Sequence, residues 1–333
     1  MNIEWLKLSK ERKIEILNQV SNRTGLPPIA VEKDWWVTLT LHCTFNQSYS
    51  QNIVFKGGTS LSKGWNLIER FSEDIDLAID RKFFGFEGDI SKNQIKKLRK
   101  KSCDFISKDF VSDLTNIFTV LKVTNECQVK AVETKESDRD PQVIEIHYES
   151  AIEKSKYLPS RVLIEISSRS LMEPSEERKI NSLISEIFTD QSFSTNSFNI
   201  PTVLPQRTFL EKIFLLHEKF SDENHNIGAE RLSRHLYDLE KLMDSEYGKS
   251  ALEDENLFEN IVNHRKKFNA IRGLDYSNHV KGKIRIIPPD DVIKEWELDY
   301  ITMKENMIYG KSLDFNSLLL RLKKLQDRIN RIK

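Results

Sequence analysis

The sequence runs to 333 residues, long enough to bury a substantial core as one large domain or two smaller ones. Its 51 basic and 51 acidic residues cancel, which excludes a generally basic surface and leaves any nucleic-acid contact to local patches. The three cysteines, Cys43, Cys103 and Cys127, lack metal-ligand spacing, which argues against zinc and for reduced thiols; with no basic-then-apolar leader and no run able to span a bilayer, a cytoplasmic, membrane-free protein is expected.

In chain order, a first helix is predicted after Ser9, whose hydroxyl can cap it, with Ile14, Ile16, Leu17 and Val20 facing a core. Pro27-Pro28 ends it. A second helix takes Val31, Trp35, Val37, Leu39 and Leu41 inward, with Trp35 and Trp36 read as packing residues rather than a base-stacking platform. A strand, Asn52-Ile53-Val54-Phe55, then stops at Gly57-Gly58, and a helical segment opens at Thr59 and Ser60. Amides at such a junction suit phosphate groups, although glycine turns before helices are common as plain structure.

The next strand, Ile75-Asp76-Leu77-Ala78-Ile79, is entered through Asp74. From Ile90 to Lys108 the pattern is helical and basic, with Lys92, Lys96, Lys97, Arg99, Lys100 and Lys101 forming either a solvated face or a contact for an RNA backbone. Strands are predicted over 127–132, 142–148 and 161–167, with the polar stretch 134–140 as a hairpin tip, and an extended piece lies between Pro201 and Pro205. After Thr208 the chain reads mainly as helix. Phe209, Ile213, Leu216 and Phe220 share a face in the first of these helices, which Lys212 borders. Residues Asn278 to Arg285 form a second basic cluster in a loop or strand. Leu318, Leu319, Leu322, Leu325, Ile329 and Ile332 make the apolar stripe of a closing helix, for packing on the body or for a partner protein.

The chemistry-bearing residues start with Asp74 and Asp76, which alternation puts on one face of their strand. Two carboxylates so close repel unless a cation lies between them, and oxygen donors of this kind suit magnesium; the alternative is an exposed acidic edge strand. Glu165 interrupts a nearly continuous apolar run, Arg161 to Ser167, of the kind seen in a strand covered on both faces. A carboxylate there needs a partner, either metal or an arginine such as Arg161 or Arg169. Lys212 alone reads as a surface lysine with its stem on the core. Arg234 and Asp238, four apart, read equally as an intrahelical ion pair or as groups that orient Lys212 or a nucleotide. The seven histidines form no metal-ligand pattern, and His217 and His235 read as packing or polar-surface residues.

Several of these segments together resemble a known family. Gly57-Gly58-Thr59-Ser60-Leu61 with Arg70-Phe71-Ser72-Glu73-Asp74-Ile75-Asp76-Leu77 is similar to the first motif of the AbiEii/AbiGii-type nucleotidyltransferases, toxins of toxin–antitoxin and phage-abortive-infection systems that include the MenT toxins. Thr208 to His217 resembles the helix carrying the family's essential lysine, here Lys212, and Arg231 to Leu239 resembles the later motif that includes Arg234 and Asp238. Asp299 to Met303 and Met307 to Gly310 resemble the closing segment. His235 departs from the pattern, standing where members often carry aspartate.

The resemblance implies an α+β fold: a polymerase-beta-like mixed sheet flanked by helices, with N-terminal helices, over residues 1–205, followed by a helical C-terminal domain over 206–333. It implies transfer of a nucleoside monophosphate from an NTP to RNA, with the 3′ acceptor end of tRNA favoured, under the control of an antitoxin protein. Asp74, Asp76 and Glu165 would hold Mg2+; Gly57, Gly58, Thr59 and Ser60 would contact the triphosphate, and Ser72 would either contact the nucleotide or be the place where an antitoxin modifies the enzyme. Lys212 would offset phosphate charge beside Arg234 and Asp238. Transfer to protein hydroxyls and nucleotide binding without turnover are the competing expectations.

Overall fold

The computed structural model describes residues 2–153, 157–221 and 228–331. Its chain divides into two compact units, Met1–Asn66 with Phe71–Val203, and Leu67–Arg70 with Leu204–Lys333. The four residues Leu67–Arg70 thus leave the first unit in the middle of the glycine-to-aspartate segment.

In the first unit, α1 (Lys10–Thr24) begins at Ser9, whose side chain accepts from the Arg12 amide, and ends at Gly25 in the left-handed conformation. The second helix, α2 (Pro28–Phe45), differs from the one-sided expectation: it is buried almost all round, and its buried residues include Glu32, Lys33 and Asp34. Trp35 and Trp36 lie inside, with Trp36 stacked on Tyr148 at 4.9 Å between ring centroids, so they are packing residues. Next come β1 (Ile53–Lys56), the short turn α3 (Gly57–Thr59), a wider helical turn through Gly64, and β2 (Asp74–Ile79).

The basic helix α4 (Lys92–Phe105) starts in a capping box of Ser91 and Gln94, and continues through a wide turn into α5 (Val111–Val120). There follow β3 (Cys127–Ala131), β4 (Gln142–Tyr148), β5 (Arg161–Ser167), β6 (Ser175–Ile180), α6 (Leu183–Ile187) and β7 (Phe198–Val203). The sheet order is β3-β4-β5-β2-β1-β7-β6. It is mixed: β2 runs parallel to β5 and β1 parallel to β7, while the remaining neighbours are antiparallel. β6 has no counterpart in the sequence reading. As an edge strand with exposed Ser175, Glu176, Glu177 and Lys179, it carries the charge that blunts edges and lacks apolar alternation.

β5 also departs from the expected strand covered on both faces. Its residues alternate between buried and half-buried, with Leu163 and Glu165 on the more open face. The strand is not sealed on both sides, because its outward apolar residue, Leu163, sits in a row of polar neighbours that includes Asp74 and Glu145.

The second unit is helical: α7 (Pro205–Ser221), α8 (Ser233–Leu242), α9 (Glu246–Glu253), α10 (Glu255–Phe268), α11 (Ile293–Met307) and α12 (Phe315–Arg331). The α12 stripe Leu318, Leu319, Leu322, Leu325 and Ile329 is buried in the body; Ile332 lies outside the described residues. No described helix is long and apolar enough to cross a membrane.

Candidate functional site

The first cluster is assembled by strand register. Asp76 pairs with Lys56 of β1 on one side and with Glu165 of β5 on the other, so the three share a row and a face. Asp74, two residues earlier, lies on the same face opposite Leu163. All three acids are half-buried. Lys56 was not singled out from the sequence. Only the β1–β2 register brings it beside Asp76, and its ammonium reaches Ser170 Oγ at 3.3 Å.

Gly57 is required twice over. Its φ of +79° favours glycine, and a Cβ there would lie 1.9 Å from Asp76 Oδ2 and 2.6 Å from its Cγ. The glycine turn therefore leaves room for the Asp76 carboxylate itself. Thr59 and Ser60, expected among the phosphate contacts, are buried and direct their hydroxyl protons inward. Thr59 Oγ1 is bonded to the Asp74 carbonyl and lies 2.9 Å from Ser72 Oγ, while Ser60 Oγ donates to the Gly57 carbonyl at 2.8 Å. They brace the turn against the start of β2. Ser72, just before β2, is half-buried.

The donor set of three carboxylates fits a hard divalent cation. In this structure the side chains are not drawn around one point: among the described residues, no group of three or more His, Cys, Asp or Glu is arranged to hold a metal. The shared face comes from the backbone, and the space beside Gly57 is filled by Asp76 Oδ2.

The second cluster lies in the helical unit and is buried. Arg70 forms a two-pronged pair with Asp238, Nε to Oδ1 at 2.7 Å and Nη2 to Oδ2 at 2.8 Å. Lys212 Nζ reaches the same Oδ2 at 2.9 Å and His235 Nδ1 at 3.3 Å. Lys212 is thus a buried lysine, because α7 is enclosed on the side that local periodicity had left at the surface. Asp238 is fully buried, and Arg70 and Lys212 both hold its oxygens.

Electrostatics follow from that arrangement. Burial pushes the Asp238 carboxyl up, but Arg70 and Lys212 overcome it and hold the group well below the usual carboxylate range. Burial lowers Lys212, and Asp238 opposes the shift. Burial, reinforced by the Lys212 and Arg234 cations, drives His235 well below the ordinary imidazole value. With His235 neutral, its Nδ1 accepts a hydrogen bond from the Lys212 ammonium. His235 is buried, a neutral acceptor beside a cation.

The segments at the two ends of this unit position the cluster. Tyr309 and Gly310 amides bond the Glu69 carbonyl at 3.1 and 3.2 Å, and Ile308 bridges to Arg70. Asp299 accepts from the Arg231 and Ser233 amides at 2.7 and 2.9 Å, capping the entry to α8, which carries Asp238. Nothing local in the sequence gives Arg70 a role, because its partner lies 168 residues away.

Comparison with protein families matches residues 41–321 to the model described as "Nucleotidyl transferase AbiEii toxin, Type IV TA system". The chain belongs to this family. The toxin is accordingly a nucleotidyltransferase of a toxin–antitoxin family. Among solved structures it is similar to "MenT4, nucleotidyltransferase toxin Rv2826c from Mycobacterium tuberculosis H37Rv", with a TM-score of 0.54 and 16% identity, covering 98% of this chain and 91% of that one. That likeness is one of fold. A comparison with curated proteins found no significant match.

Proposed function

We propose that this toxin transfers a nucleoside monophosphate from an NTP to the 3′ acceptor end of tRNA, using Mg2+ held by Asp74, Asp76 and Glu165. The observation that supports it most is the row Lys56–Asp76–Glu165, with Asp74 on the same face and Gly57 leaving room for Asp76. When bound, divalent ions supply charge neutralisation at the reacting phosphate and activation of the acceptor hydroxyl.

The chain's own residues have the remaining tasks. The acceptor oxygen forms a bond to the α-phosphorus while the bond to pyrophosphate breaks. Gly57 and Gly58 amides and Ser72 orient the triphosphate, while Thr59 and Ser60 keep the turn rigid. In the helical unit, Lys212 is assigned to phosphate charge, with Asp238 fixing its ammonium and Arg234 as a further cation. Exposed Lys92, Lys96, Lys97 and Lys100 on α4 offer a surface for an RNA backbone. Lys281 of the second basic cluster pairs instead with Glu255.

The test is incubation of the purified toxin with each α-labelled NTP and with tRNA, total RNA or total protein. Label in tRNA that disappears after periodate oxidation of the 3′ diol, and with Asp76→Ala, supports the proposal. Label in protein alone moves the acceptor to protein hydroxyls. Label in no fraction under any divalent ion overturns the acceptor assignment.

A further inference from the structure

Helix α2 carries three consecutive buried charges, Glu32, Lys33 and Asp34, exposed by only 2%, 1% and 6%. Such groups are tolerated inside a protein only when each is matched. Here each is matched by a different part of the first unit. Glu32 accepts from the Ser150 hydroxyl and from the Ala151 amide at 2.8 Å, just beyond the end of β4. Lys33 forms a buried ion pair with Glu73 and donates to the Pro159 carbonyl at 3.1 Å. Asp34 pairs with Lys63 at 2.7 Å and accepts from the Leu183 amide at 2.8 Å.

The partners are informative. Glu73 immediately precedes Asp74, Pro159 lies two residues before the strand that carries Glu165, and Lys63 lies in the helical turn that follows Gly57-Gly58. One ammonium therefore ties the entry of the Asp74–Asp76 strand to the entry of the Glu165 strand. The next residue ties the same helix to the glycine turn.

We propose that Glu32-Lys33-Asp34 is the positioning element of the acidic site, with Lys33 holding together the entries of the two strands whose register sets Asp74 and Asp76 beside Glu165. This rests on the reading of those acids as metal ligands. Lys33 is a positioning residue; its ammonium acts through Glu73 and the Pro159 carbonyl, and no contact with substrate is assigned to it.

The test follows Mn2+ binding to the nucleotide-free, full-length toxin by EPR, with NMP transfer measured on the same preparations. Wild type and Asp76→Ala set the scale. Lys33→Met is expected to keep the wild-type far-UV spectrum, to weaken Mn2+ binding about tenfold or more, and to lower kcat with little change in KM for the NTP. The double variant Lys33→Met/Glu73→Gln removes both charges of the buried pair, so its unfolding midpoint should recover while Mn2+ affinity stays low.

Wild-type Mn2+ affinity and kcat in Lys33→Met overturn the proposal. Mn2+ affinity that returns together with stability in the double variant also overturns it, by reducing Lys33 to a structural role. If Lys33→Met does not fold, the double variant carries the comparison. If the wild type binds Mn2+ no better than Asp76→Ala, the metal reading fails and the positioning proposal falls with it; transfer activity retained by Asp76→Ala would mark the failure as belonging to the site assignment rather than to Lys33.

Discussion

Replacing Asp238 with asparagine tests the buried cluster of the helical unit most directly. The substitution keeps the side-chain volume but removes the single negative charge between Arg70 and Lys212, whose nitrogens lie 2.7 to 2.9 Å from the carboxylate. Asp238 is fully buried and Arg70 is 1% exposed, so water cannot replace the lost charge. Breaking a buried pair by removing one partner costs about 3–5 kcal/mol. Lys212, already lowered by burial, can limit the loss by giving up its proton. The assay is amide hydrogen exchange in α8, which reads this unit separately from the other. A loss of that size speeds exchange by about a hundred- to several-thousand-fold. The triple variant Arg70→Met/Lys212→Met/Asp238→Leu, which removes all three buried charges together, should regain most of the protection. Exchange in Asp238→Asn within about fivefold of wild type, equivalent to about 1 kcal/mol, refutes the reasoning. The same cluster sets an acid limit. Asp238 is depressed in the folded state, so its stabilisation is full above the unfolded carboxylate value of about 3.9 and is lost as pH falls below it.

Gly57→Ala should lower both stability and transfer; left-handed backbone costs a residue with a Cβ about 1–2 kcal/mol, and the added atom must displace Asp76 Oδ2. In an Asp76→Ala background the displacement disappears, so denaturant unfolding should show a smaller cost there, and equal costs would contradict the geometry. His217 is buried and lowered to about 4 by burial, with the neighbouring His279 next in effect. The unfolded chain therefore takes up this proton first, and stability should decline as pH drops from about 6.5 towards 4. His217→Gln should flatten that part of the profile in urea midpoints measured across the window. Replacing Lys92, Lys96, Lys97 and Lys100 with glutamine should weaken tRNA binding and reduce the slope of log affinity against log salt, by up to about 3–4. An unchanged slope would remove α4 from the RNA surface.

Local patterning carried much of the fold. The Ser9 cap, the Gly57 turn, the hairpin tip and the strands around residues 127, 142 and 161 each rest on a few adjacent residues, and the structure contains them, whereas α1 ends at Gly25 and Pro27-Pro28 opens α2 instead of ending α1. Family motifs were legible for the same reason: they are contiguous. The elements that escaped lack such a signal. The exposed edge strand β6 has no apolar alternation, and α5 continues from α4 through a wide turn without a break.

The sequence by itself determined that Asp74 and Asp76 share a face, that Gly57 sits at a turn, and that the chain carries AbiEii motifs, because side-chain alternation and backbone preference are properties of neighbouring residues. Only the tertiary structure decided the partners. Glu165 and Lys56 flank Asp76 because of strand register, Arg70 joins Asp238 across 168 residues, and Lys33 joins Glu73 from inside an enclosed helix. Periodicity tells which way a side chain points along its own element. Which charge meets it, and whether water is excluded from the pair, depends on how the other elements pack around it.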